Sequence, residues 1–237
     1  MRLAILMPVY DEGERLVRTL AELSASVRGA GATATVFLVD DGSPRAVDPD
    51  GLAPHLGDLT LVVARHEINL GQGAALETAR RLALADAQSF EAFVTMDSDG
   101  QHRGADVLAV ARAVVSTEVD VALGDRFAGG TQMPTSRRWL LRGARLFERL
   151  TTGVNLSDAH NGLRAFGPRT MAGMRLFQNR MAHATEITQQ IARLRIVEVP
   201  VSVRYDDDVL AKGQRASGAL DVVLDLLSGF LFGGRGR

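Results

Sequence analysis

The chain has 237 residues, 46% hydrophobic and 23% charged, enough for one domain with a sizeable core and ordinary for a globular protein. A net charge of −1 provides no basic field for a nucleic-acid partner, and the lack of cysteine excludes disulfides, thiol nucleophiles and thiolate metal sites. No stretch reaches the roughly 18 uninterrupted apolar residues of a spanning helix, and Leu3-Ala4-Ile5-Leu6-Met7 is too short for a signal-peptide core, so a cytoplasmic location is expected.

Leu3–Val9 reads as an apolar strand, followed by a helix over Glu14–Val27 with Leu16, Leu20, Leu23 and Val27 at helical spacing. Thr35–Val39 is a second strand, ending in Asp40-Asp41-Gly42-Ser43, and Leu59–Ala64 a third. Asn69-Leu70-Gly71-Gln72-Gly73 leads into a helix over Ala74–Ala85. Phe90–Met96 is the fourth strand, Asp106–Val115 a helix, and Val119–Leu123 a fifth strand running into Gly124-Asp125-Arg126. Strands separated by helices predict an α/β fold with right-handed crossovers and a mostly parallel central sheet flanked by helices. The second half is less regular. It suggests a helix over Arg137–Thr152, a hairpin or loop-strand over Asp158–Phe166, a helix over Ala184–Leu194 and a strand over Ile196–Val203, where Pro200 points to a sheet edge. A polar loop, Tyr205–Ser217, precedes an apolar helix, Ala219–Phe232. There is no internal repeat, low-complexity tract or linker.

Ligands of an open parallel sheet bind outside the carboxyl ends of its strands. Here those ends carry Tyr10, Asp11 and Glu12, then Asp40 and Asp41, then Asn69, Gly71 and Gly73, then Asp97, Asp99, Gln101 and His102, then Asp125 and Arg126. Five polar endings argue for one polar cleft. Asp97-Ser98-Asp99 is its centre, because alternate residues of an extended chain point the same way and two carboxylates can face one spot. Hard oxygen ligands of this kind suit Mg²⁺ or Mn²⁺, which take one or two carboxylates and share substrate phosphates. Gly71-x-Gly73 fits either an ordinary turn or a close approach of backbone to a nucleotide. Arg126, Arg164, Lys212 and Arg215 are candidate phosphate partners, each equally readable as a solvated charge, whereas Arg137 and Arg138 suit a surface or interface. Glu186 suits a general base or a first-turn helix residue, and of His102, His160 and His183 only His102 gains from its neighbours.

Met7-Pro8-Val9-Tyr10-Asp11-Glu12, Val39-Asp40-Asp41-Gly42-Ser43, Asn69-Leu70-Gly71-Gln72-Gly73 and Met96-Asp97-Ser98-Asp99-Gly100-Gln101-His102 occur in this order. Together they resemble the family 2 glycosyltransferases of GT-A fold, and most closely the polyprenyl-phosphate (dolichyl-phosphate) sugar synthase branch. Gly124-Asp125-Arg126-Phe127, Asp158–Phe166 and Glu198-Val199-Pro200-Val201 resemble further blocks, so the likeness spans about residues 3 to 215. It implies a single catalytic domain over 1–217, with a nucleotide-binding part to about 125 and an acceptor part beyond, then a C-terminal apolar helix and tail. By the same likeness Pro8, Tyr10, Glu12 and Asp40 would line the base and ribose of a UDP- or GDP-sugar. Asp97 and Asp99 would flank the diphosphate, with Asp99 the more direct Mg²⁺ or Mn²⁺ ligand and Gln101 assisting. Arg126 and Arg164 would face phosphates or sugar, and Lys212 and Arg215 would close over the diphosphate or the acceptor phosphate.

Asp125 stands where the branch often has Ser, and Ala211-Lys212-Gly213-Gln214-Arg215 departs from its Gly-x-Ser-Lys pattern, which leaves a glycan hydroxyl open as the acceptor. The likeness implies an inverting single displacement. A phosphate acceptor is already ionised at neutral pH, whereas a sugar hydroxyl would need a base such as Glu186 or Asp158. The C-terminal helix, apolar over Leu220, Val223, Leu224, Leu227 and Phe230 with Asp221 and Asp225 on a narrow polar side, suits a membrane interface, its own domain or a second subunit. Two further readings are a sugar-nucleotide pyrophosphorylase, which would carry a glycine-rich loop in place of Pro8–Glu12, and a non-catalytic nucleotide-sugar-binding protein.

Overall fold

In the computed structural model the described residues are 1–128, 156–158, 161–179 and 182–204. The first strand, β1 (Arg2–Val9), is buried along all but its first residue, as an apolar run covered on both faces should be. It pairs in parallel with β2 (Thr33–Asp40) on one side and β4 (Ala92–Thr95) on the other, and β2 pairs in parallel with β3 (Thr60–Arg65). Beyond β4 one of the described strands runs the other way. β6 (Arg164–Phe166) lies antiparallel between β4 and β5 (Val121–Asp125), and β7 (Ile196–Pro200) closes the sheet parallel to β5. The seven strands run in the order β3-β2-β1-β4-β6-β5-β7, so Pro200 does end an edge strand.

Alternate strand residues face opposite layers. Leu3, Ile5, Met7, Val36, Leu38 and Val94 pack with α1 (Glu14–Gly29), α2 (Pro49–Leu56) and α4 (Gly104–Ser116). Ala4, Leu6, Phe37, Val39, Phe93 and Phe166 pack with α3 (Gln72–Ala85), α5 (Pro168–Gly173) and α6 (Ala182–Ile191). The α/β class and mostly parallel sheet expected from the sequence are thus present. Two short helices were not expected. Only Leu52 of α2 is buried and Pro54 interrupts it, and α5 has six residues with Met171 alone buried, so neither shows a helical apolar stripe. Among the described residues of the Asp158–Phe166 segment, Arg164–Phe166 form a strand. The helices expected over 137–152 and 219–232 and the loop over 205–217 lie outside the described residues.

One buried ion-pair network ties α3 to the chain that follows α5. Glu77 accepts from Arg80 Nε at 2.8 Å, from Arg81 Nε at 2.7 Å and from the Leu176 backbone at 3.2 Å, while Arg80 Nη1 donates to Met171 O at 3.2 Å. Burial alone would raise the Glu77 carboxyl, but these hydrogen bonds prevail and hold it at about 2, against an ordinary value of 4.5. The unfolded chain therefore takes up the proton first as pH falls. The network's stabilisation, roughly 3 kcal/mol from the size of the shift, is complete above about pH 4.5 and is lost as pH falls towards 2. Urea denaturation of the wild type and Glu77→Gln should differ most at pH 7, with the gap clearly narrowed at pH 3 and closing only towards pH 2. A gap as wide at pH 3 as at pH 7 would show that the ionised carboxylate is not what stabilises the fold.

Candidate active site

The carboxyl ends of β1, β2 and β4, with the loop before α3, enclose a cavity of about 480 Å³. Its floor is built by short cross-links. The Asp11 backbone turns left-handed at φ 54° and donates its N–H to Ser43 Oγ at 3.0 Å, and Ser98 Oγ donates to Pro8 O at 2.9 Å. Gly42 sits at φ +71°, and a Cβ there would overlap the Ile68 carbonyl carbon, so the glycine admits the 66–71 loop against the β2 end. Asp41 then fastens that loop, accepting from Leu70 N at 3.0 Å, Gly71 N at 2.7 Å and His66 Nδ1 at 2.7 Å. The other ring nitrogen of His66, Nε2, lies 2.9 Å from Thr78 Oγ1, so the imidazole bridges the β2 end to α3.

Asp97 and Asp99 both reach the cavity. Asp97 Oδ1 accepts from Gln72 Nε2 at 2.8 Å, and Oδ2 faces His102 Nε2 at 3.2 Å. A Cβ on Gly162 would overlap Asp97 Oδ2, so the turn at Asn161-Gly162 closes directly behind this carboxylate. Burial alone would raise the Asp97 carboxyl. The hydrogen bond with His102 and the charges of His102, His183 and Arg164 outweigh that, and it sits below the ordinary carboxylate value. Asp99 is pushed the other way, by burial and then by the Asp97 charge, against hydrogen bonds from the Gln101 backbone and side chain. Two carboxylates thus face one cavity, and their oxygens are hard ligand atoms. Among the described residues no three His, Asp or Glu side chains gather as a metal-holding group. Two carboxylates completed by diphosphate oxygens and water are the set that Mg²⁺ or Mn²⁺ uses, so the residues fit such an ion.

The other residues singled out in the sequence divide into two groups. Pro8, Tyr10, Glu12 and Gly71 line the cavity with the Asp pair, while Gln101 caps Asp99. Asp40 does not reach it. The carboxylate is buried and takes Ser43 N, Val47 N and Arg65 Nη1, and although burial opposes ionisation these hydrogen bonds lower its pKa. Asp41, its neighbour, lines the cavity instead. Gly73 does make a close approach, but to its own chain, since a Cβ would overlap Gln178 O. Arg126 is buried and donates from Nε to Asp158 Oδ2 at 2.6 Å. Arg164 is buried on β6, from where its charge acts on Asp97. Glu186 accepts from the backbone of Phe177 at 2.9 Å and of Gln178 at 2.9 Å, an anchoring role rather than an open base. His160, Lys212 and Arg215 lie outside the described residues. Sequence reasoning missed Gln72 and Gly162, although each lay inside a motif it had quoted.

The profile of the family described as Glycosyl transferase family 2 matches residues 4–175. The chain belongs to glycosyltransferase family 2. An undecaprenyl-phosphate mannosyltransferase of Micrococcus luteus is 30% identical to this transferase over 210 residues, spanning 85% of this chain and 83% of that protein. A UDP-N-acetylglucosamine–dolichyl-phosphate N-acetylglucosaminyltransferase of Methanococcus voltae is 27% identical over 160 residues, 65% of this chain and 63% of that one. The relatives thus include the polyprenyl-phosphate branch that the motifs resemble. In fold, the transferase matches the glucosyl-3-phosphoglycerate synthase of Mycobacterium tuberculosis, solved with Mn²⁺, UDP-glucose and phosphoglyceric acid, at a TM-score of 0.59 and 19% identity over 96% of this chain and 79% of that one. The GT-A-like architecture expected from the motifs is therefore present.

Proposed function

We propose that the transferase moves a sugar from a UDP- or GDP-sugar to a polyprenyl phosphate with inversion at the anomeric carbon. The observation that carries the acceptor assignment is the occupation of both candidate bases. Asp158 is buried against Arg126, and Glu186 is engaged by two backbone amides. A sugar hydroxyl would need such a base, whereas a phosphate monoester, with its second pKa near ~6, is a nucleophile without one. The similarity to polyprenyl-phosphate transferases supports the same reading.

The donor would lie in the 480 Å³ cavity, its base towards Pro8, Tyr10, Glu12 and Asp41 and its diphosphate towards Asp97 and Asp99. A divalent cation, Mg²⁺ or Mn²⁺, held by Asp99 and Asp97 would neutralise the charge that develops on the departing diphosphate. Gln72 and His102 orient Asp97, and Gln101 orients Asp99. Lys212 and Arg215 are assigned to the phosphates by family likeness. Among the described residues no helix is long and apolar enough to cross a membrane. A lipid acceptor would bring the enzyme to the membrane surface, and the apolar C-terminal stretch is the segment we assign to that contact.

The test is donor turnover with UDP- and GDP-sugars, with and without a short-chain polyprenyl phosphate, in Mg²⁺ or Mn²⁺. Nucleoside-diphosphate release that requires lipid phosphate and disappears in Asp99→Ala is the expected result. Donor binding without lipid-dependent release would move the acceptor to a glycan hydroxyl.

A further inference from the structure

The start of α3 is held in place from a distant part of the chain. Its first residue, Gln72, supplies the amide that reaches Asp97 Oδ1 at 2.8 Å, and the residue before it is Gly71, at φ +95°, which has no side chain to cap the helix. The cap comes from elsewhere, because Asn179 Oδ1 accepts from Ala74 N at 2.8 Å. Asn179 also lies against Gly71, where a Cβ would stand 3.2 Å from its Cγ, and its neighbour's carbonyl, Gln178 O, occupies the space a Gly73 side chain would need. The 176–179 segment is itself pinned at successive amides, Leu176 N by Glu77 and Phe177 N and Gln178 N by Glu186. A continuous run of contacts therefore leads from α6 through Glu186 and Asn179 to Gln72 and Asp97.

We infer that Asn179 is a positioning residue for the donor site: by capping α3 from outside the helix it aims Gln72 at Asp97, and so fixes the carboxylate that faces the donor diphosphate. The inference rests on the proposed function for the identity of the ligand and extends it to a residue outside the cavity lining. It also gives Gly73 a role: a Cβ there would overlap Gln178 O and push the 178–179 segment, with its cap, away from the helix, whereas Gly71 is required first by its φ of +95°.

The experiment measures UDP and GDP affinity in Mn²⁺ by titration calorimetry for the wild type, Asn179→Ala, Asn179→Asp and Gln72→Ala. Asn179→Ala should weaken nucleoside-diphosphate binding about fivefold to tenfold, the loss expected for one cap. Asn179→Asp keeps an acceptor oxygen at the same reach and should stay within about twofold of the wild type. In a Gln72→Ala background the effect of Asn179→Ala should shrink to within about twofold, because the two residues act in series. A purely structural cap would lower the melting temperature of Asn179→Ala and leave nucleotide affinity at the wild-type value, and that result overturns the inference alone. Full effects of both substitutions adding independently would also overturn it. A wild type that binds neither nucleotide would sink the proposed function, and this inference with it.

Discussion

Asp97→Asn should lower metal-dependent donor turnover by about three orders of magnitude while leaving the fold intact. The substitution keeps the shape that Gly162 closes around and keeps one oxygen for Gln72, so packing is preserved. What it removes is charge. A cation stabilising a leaving diphosphate is worth several kcal/mol, and each ~1.36 kcal/mol is tenfold in rate. The neighbouring Asp99 responds as well. It loses the Asp97 charge that raises its pKa, so its carboxyl should move back towards the ordinary value. Steady-state nucleoside-diphosphate release in Mn²⁺ reads the rate, and an unchanged melting temperature certifies the fold. Activity within tenfold of the wild type would mean that the Asp pair is not the seat of the cation and diphosphate.

Arg126→Ala should act chiefly on stability, at a cost of about 3–5 kcal/mol, the usual result of removing one partner of a buried ion pair. Arg126 and Asp158 are 7% and 5% exposed, and among the described residues the Asp158 carboxylate would keep the residue-126 backbone N–H at 3.1 Å and Asn161 Nδ2 at 3.3 Å. The Asp158 turn lies just before Asn161-Gly162, so the damage is adjacent to Asp97 and a secondary loss of activity is expected. The urea midpoint separates this from the phosphate-contact role suggested by family likeness. A direct contact predicts a raised donor KM with a nearly unchanged midpoint.

The first five strands and three longer helices were legible because each is a strong apolar run or a 3.6-residue stripe, and because Gly and Asp mark their ends. The Asp97–Asp99 pair was legible from the pleat alone, since residues two apart share a side. Asp40 and Asp41 show the limit of that reasoning. Adjacent residues face opposite ways, but β2 is buried on both faces, so no polar alternation reveals which carboxylate looks outward. Gly73 was recognised as a site of close approach, yet only tertiary structure identifies the approaching group as Gln178. The cap on α3 lies 105 residues from the helix it serves, with no local signal for a sequence reading to find. Glu186 looked like a base because it opens a helix; two backbone amides in the structure account for it without catalysis.

Among the described strands β6 is the reversed one, and its place between β4 and β5 bears on the order of assembly. Strands β1 to β4 come from residues 2–95 and can assemble as soon as that stretch is synthesised. The far edge of β4 then waits for β6, and Thr95 Oγ1 meets its partner Gly162 O only at a sequence separation of 67. Closing so long a loop costs entropy before any contact repays it, so β6 is a late arrival. Because the Gly162 turn backs Asp97, this topology predicts that Asp97 gains its backing only after the β1–β4 part of the sheet has formed, an order that pulse-labelled hydrogen exchange during refolding would read.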